Sequence, residues 1–163
     1  MKSHRSPLTP FGAAALLWAA LLPGCASTQP VPPPETGVIT VKSPRPLADT
    51  VVRLEGELAK RKLAVLAKVS HSAAATQIGM SLRPTTVLIF GNPQVGTPLM
   101  QCAQGVGIDL PMKALVWDDA AGQTWLTYND PVWLVRRHGG GDCPAAAAVA
   151  KALAGLAEAS VAP

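Results

Sequence analysis

The chain has 163 residues, 48% of them hydrophobic and 15% charged, with 14 Lys and Arg against 10 Asp and Glu. That length fits one domain beside a targeting segment. The formal charge of +4 includes Lys2 and Arg5 near the start, and the remainder is too small and too dispersed for a nucleic-acid-binding surface.

Lys2 and Arg5 form a short positive region ahead of an apolar run, Phe11 to Leu22. The run has the length of a secretory signal core and is short for a membrane span. It ends in Leu22-Pro23-Gly24-Cys25, which resembles the lipobox of bacterial lipoproteins, with Pro23 as a departure from the favoured pattern. On that resemblance residues 1–24 are a signal peptide, and Cys25 becomes the acylated first residue of the mature chain. Several acyl chains, each contributing about 0.8 kcal/mol per buried CH₂, give stable anchoring where one would be marginal. Ala26, following the cysteine, leans towards the outer membrane, with the domain facing the periplasm. Residues 25–36 then form a proline-rich tether (Pro30, Pro32, Pro33, Pro34). Such a segment favours polyproline II geometry at about 3.1 Å per residue, a reach on the order of 30 Å.

The domain is expected over residues 37–160. Gly37 to Ser43 alternates apolar and polar residues and predicts a strand. Leu47 to Arg61 predicts a helix, with Val51, Leu54 and Leu58 at i, i+3 and i+7 on one face. Lys60-Arg61-Lys62 closes it as a solvated basic end that suits the helix dipole, with contact to lipid head groups as the alternative. Leu63 to Ser70 is a second strand, and Ser72 to Ser81 a weak helix with Ala74, Ile78 and Met80 inward. Thr85 to Phe90 is a third, β-branched strand that ends at Gly91 and the turn Asn92-Pro93. Thr97 then caps a short helix with Pro98 in its first turn, running to Ala103 or Gln104. Met112 to Trp117 and Gln123 to Tyr128 are strands joined by a hairpin at residues 118–122. A helical turn at residues 132–137 precedes a last helix from Asp142-Cys143-Pro144 to about Ala159, with Val149, Leu153 and Leu156 as its stripe. This order predicts an α+β fold: a single, largely antiparallel sheet with helices packed on one face, β-α-β(4)-α.

The words LRPTTVLIFGNPQVGTPLM (residues 82–100), DLPMKALVWDD (109–119), TYNDP (127–131) and RHG (137–139) resemble the DUF302 family. The resemblance covers about Val38 to Ala157 and implies a TBP-like α+β fold and a capacity to form homodimers, with no agreed activity attached. Cys102 departs from the family, which more often has a small residue there.

Candidate ligand-binding residues are His71, Asn92, Thr97, Lys113 and Asn129. His71 leaves the second strand and is expected at the same sheet end as Asn92, where a histidine can serve as ligand or base. Asn92-Pro93 and Asn129-Asp130-Pro131 form turns in any case, because Asn and Asp side chains imitate a backbone turn. The N–H groups of Gly96, Thr97 and the residues after Pro98 are a candidate anion site, with Arg83 or Lys113 as a source of positive charge. Trp117, Trp125 and Trp133 read as core or sheet-face residues before they read as a stacking platform. Cys102 and Cys143 leave three readings open: two separate thiols, a disulfide, or a soft-metal site with Met100 and a histidine. No catalytic set, cofactor motif or metal motif stands out. The expected function is a lipid-anchored binding or sensing module whose partner is a small molecule or a protein. The alternatives are an enzyme using His71 with Asn92 and Thr97, and a structural dimer without a ligand.

Overall fold

A computed structural model of the chain describes residues 35–163; the leader, Cys25 and most of the tether lie outside the described residues. Five strands run through the domain: β1 (Val38–Lys42), β2 (Ala64–Ser70), β3 (Thr85–Gly91), β4 (Met112–Asp118) and β5 (Thr124–Asn129). The helices are α1 (Leu47–Lys60), α2 (His71–Gln77), α3 (Pro93–Cys102), α4 (Pro131–Arg137) and α5 (Pro144–Val161), with a 3-10 segment at Gln104–Ile108. The strands form a single sheet in the order β1-β5-β4-β3-β2, and every neighbouring pair is antiparallel. This is the α+β arrangement expected from the sequence.

Period-two alternation explains the sheet. Thr86, Leu88 and Phe90 of β3, Met112, Ala114 and Val116 of β4, and Thr124, Leu126 and Tyr128 of β5 are buried on one face. The residues between them are half-buried on the other. Two helices close the buried face. α1 presents Val51, Leu54 and Leu58, and α5 presents Leu153, Leu156 and Ala157 to the same core. Burying each such leucine fully contributes roughly 1.5–3 kcal/mol. α5 is long and apolar enough to cross a membrane by length and composition alone, yet its buried stripe belongs to this core.

Two local readings are corrected. α3 begins at Pro93, not near Thr97, because Asn92 takes the cap: its Oδ1 accepts the Val95 amide at 2.9 Å. Pro98 therefore sits inside the helix, where one backbone bond is forgone. α2 buries no residue, and Ile78 (72% exposed) and Met80 (63%) lie beyond its end in solvent. Seven residues make too little helix to give two apolar side chains a face.

Two features carry predictions of their own. Gly37 has φ +67°, and a Cβ there would lie 2.1 Å from the Trp133 ring. Gly37→Ala is expected to destabilise by roughly 2–3 kcal/mol, from the left-handed backbone and the displaced indole together. Urea unfolding of the variant measures this. At the β4–β5 hairpin, the Trp125 indole donates to Asp119 Oδ2 (2.9 Å), and the Ala121 and Gln123 amides donate to Oδ1 (2.8 and 2.9 Å). The indole first, then the Gln123 amide, hold this carboxyl below its ordinary value near 3.8. A depressed carboxylate pKa stabilises the fold above the unfolded value, and that contribution is lost as pH falls through the folded one. Carboxyl ¹³C titration is expected to place the Asp119 midpoint below 3.8.

Candidate functional site

Antiparallel pairing decides which sequence candidates meet. The end of β3, the starts of β2 and β4, and the end of β5 lie at one end of the sheet, because Ala64 pairs with Gly91, Phe90 with Met112, and Ala114 with Tyr128. Asn92 and Thr97 belong to this end. So do Lys113 and Asn129, brought abreast on the helix-free face by the β4–β5 register. His71 does not. Ser70 pairs with Thr86, so His71 opens α2 at the opposite end of the sheet, exposed to solvent. β2 and β3 are each seven residues long, a span of roughly 20 Å. The expected grouping of His71 with Asn92 and Thr97 is therefore incorrect, and the enzyme built on it has no base.

At the Asn92 corner the strand–turn–helix junction encloses an apolar cleft of about 460 Å³. Its walls include Leu66, Val95, Met100, Leu110 and Pro111, and Asn92 and Thr97 line it too. Asn92 is committed to structure on both sides of its amide. Oδ1 caps α3, and Nδ2 donates to the Lys62 carbonyl at 3.2 Å, tying the corner to the end of α1. Thr97 is exposed one turn into α3 and caps nothing. The Lys113 ammonium donates to the Asp109 and Pro111 carbonyls (2.8 and 3.1 Å) and so stands near the cleft without lining it. Asn129 ends β5, and the turn after it is made by Asp130, which caps α4 through the Val132 amide at 2.7 Å.

The wall residues escaped the sequence reading for a physical reason. A register shift between Val65 and Ala67 bulges β2 and leaves Leu66 60% exposed over the cleft. Alternation is broken there, so a period-two reading assigns Leu66 no role. A second cleft, of about 370 Å³, lies beside the first under α5, and Gly91, Val95 and Met112 line both.

Beyond the clefts, Cys102 and Cys143 are joined in a disulfide, with Cα atoms 6.0 Å apart. The bond ties the end of α3 to the residue before α5 and leaves no thiol for a soft-metal site with Met100. It borders a satellite core of Leu99, Val106, Val135 and Ala146. His138 Nε2 lies 2.6 Å from Asp109 Oδ2, and Arg137 approaches the same carboxylate at 3.5 Å. Trp117 and Trp125 lie opposite each other on the helix-free face, and Trp133 on α4 packs beside Gly37.

The fold is similar to a crystal structure of an uncharacterized conserved DUF302 protein from Bacillus stearothermophilus. The two share 26% identity with a TM-score of 0.69, over 76% of this chain and 98% of that one. The match therefore takes in almost the whole of that chain. The chain is also 44% identical over 104 residues to the fluoride-specific ion channel FluC 1 of Brucella suis and to FluC 1 of Brucella abortus. The match takes in 64% of this chain but 41% and 38% of those proteins, so the chain spans about two fifths of the relatives it matches. The family model for the domain of unknown function DUF302 matches residues 39–160, three quarters of the sequence, and the chain belongs to the DUF302 family.

Proposed function

We propose that this protein is a lipid-anchored periplasmic binding module. Cys25 carries the acyl chains that hold it at the outer membrane, the proline-rich tether spaces it from the lipid, and the DUF302 domain takes a small apolar ligand at the Asn92 corner. The observation that carries the binding role is the cleft itself, about 460 Å³ and walled by apolar side chains where strand, turn and helix meet. That size lies within the roughly 300–1,000 Å³ of small-molecule sites. In this reading a second copy packs on the helix-free sheet face, where Val87, Ile89 and Leu115 stand half-buried on adjacent strands.

Two measurements test the parts separately. The mass of the mature N-terminus is expected to show acylated Cys25; an unmodified cysteine removes the anchor. A thermal-shift screen of apolar metabolites is expected to raise the Tm of the wild type and leave Ala64→Phe unmoved. Ala64 lines the cleft from an exposed strand position, so phenylalanine there fills the cleft without entering the core. Equal shifts in both proteins would remove the cleft as the site.

The 44% identity to Brucella FluC proteins favours a second reading, in which the domain serves fluoride handling beside a channel. Fluoride is a small anion that suits N–H donors and cations rather than an apolar wall, so here the domain would act on a protein partner and not through the cleft. Unchanged fluoride tolerance in a strain lacking the gene would remove this reading.

A further inference from the structure

The two adjoining clefts share their boundary, and one residue of that boundary is unusual. Gly91 ends β3 with no positive φ, and a Cβ built on it meets nothing closer than Pro111 Cβ at 3.8 Å. Neither the backbone nor the packing requires glycine there. Its missing side chain instead leaves the strand end bare where both clefts meet. Among the described residues lining either cleft the single charged one is Arg61. Arg61 belongs to a cluster with excess positive charge. Lys60 and Arg61 both pair with the one carboxylate of Glu57, and Lys62 follows with its backbone held by Asn92. A ligand that ran through both clefts from a cationic mouth would be selected by both shape and charge.

Resting on the binding role proposed above, we infer that the ligand is a single-chain anionic amphiphile of the long-chain fatty acid type. Its head lies at Arg61 and Lys62, and its hydrocarbon chain passes Gly91 from the second cleft into the first. The charge complements Arg61, and burial of the chain supplies the affinity. A neutral chain forfeits the first term, and a cationic head opposes it.

The test uses the full chain, displacement of fluorescent cis-parinaric acid, and three competitors of one chain length: palmitate, hexadecanol and hexadecylamine. Palmitate is expected to bind at least tenfold more tightly than hexadecanol, with hexadecylamine weakest. Arg61→Gln combined with Lys62→Gln is expected to bring palmitate and hexadecanol within about twofold of each other. Gly91→Val places a strand-favouring side chain at the boundary and is expected to keep the Tm while weakening palmitate at least tenfold. Equal binding of palmitate and hexadecanol by the wild type overturns the inference and leaves an apolar-ligand site standing. Full palmitate affinity in a folded Gly91→Val overturns the path across the boundary. No binding of any competitor or of the fluorescent probe overturns both this inference and the binding role. Phosphatidylglycerol vesicles form a second arm. Sedimentation of the domain with them, undisturbed by palmitate, would assign the basic mouth to a membrane surface and overturn the free-amphiphile reading.

Discussion

Replacing both Cys102 and Cys143 by alanine is expected to lower the unfolding free energy by roughly 4 kcal/mol, the chain-entropy value for a crosslink of this span. The two cysteines are 41 residues apart in sequence, and the loop between them holds the 3-10 segment, β4, β5 and α4. Freeing it enlarges the unfolded ensemble far more than it alters native contacts. For a domain of this size the expected fall in Tm is on the order of 15 °C. The native cost is smaller but real, because Cys143 is buried in the satellite core with Leu99, Val106 and Val135. Urea unfolding with and without reductant separates the two contributions. The wild type under reductant should approach the double variant, and a midpoint unmoved by reductant would show that the crosslink contributes nothing. A covalent bond of this kind suits an oxidising compartment, in keeping with the periplasmic address proposed through Cys25.

The sheet was legible because alternation and burial are the same fact for an antiparallel strand with one covered face. The run Thr85 to Phe90 shows no alternation of polar and apolar residues, yet its members divide by parity: Thr86, Leu88 and Phe90 go to the core, and Val87 and Ile89 to the helix-free face. The stripe of α1 was legible for the corresponding reason at period 3.6. The start of α3 was misplaced because one signal occurs twice. Asn92-Pro93 and Thr97-Pro98 are both a capping residue followed by proline, and nothing local ranks them. The tie is broken at long range. Asn92 Nδ2 reaches the Lys62 carbonyl across the start of β2, which fixes the first pair as the corner.

The candidate site was half legible. The junction at Gly91 to Thr97 was identified from its turn and cap chemistry, and the structure puts a cleft there. The partnership with His71 failed on connectivity. Successive antiparallel strands exchange ends, so a residue leaving β2 and a residue leaving β3 cannot share an edge. The apolar wall was illegible because it is assembled from Leu66 in a bulge, Met100 in α3 and Pro111 ahead of β4, and no single window of sequence contains all three.

Phe90→Ala is the substitution at which stability and site meet. Phe90 is 1% exposed on the inner strand β3, pairs with Val65 and Met112 on its two sides, and packs in the core with Leu54, Leu126 and Leu153. Truncation removes most of a phenyl ring from a site held by the sheet below and two helices above, which can collapse little. The expected loss is about 3–5 kcal/mol, at the upper end for core truncations because the backbone on both sides is pinned by ladder bonds. Val87→Ala is the matched control. It lies three residues earlier on the same strand but on the helix-free face, half-buried, and should cost about 1 kcal/mol or less. Equal losses at the two positions would mean that the helix-free face is covered in solution, as packing of a second copy requires. Phe90 also lines the second cleft beneath α5. The same truncation therefore enlarges that cleft, and a ligand whose chain lies there should restore part of the lost Tm. A destabilised variant rescued by ligand in this way would tie the core of the fold to its binding role more directly than loss of binding could, since a merely damaged protein loses both.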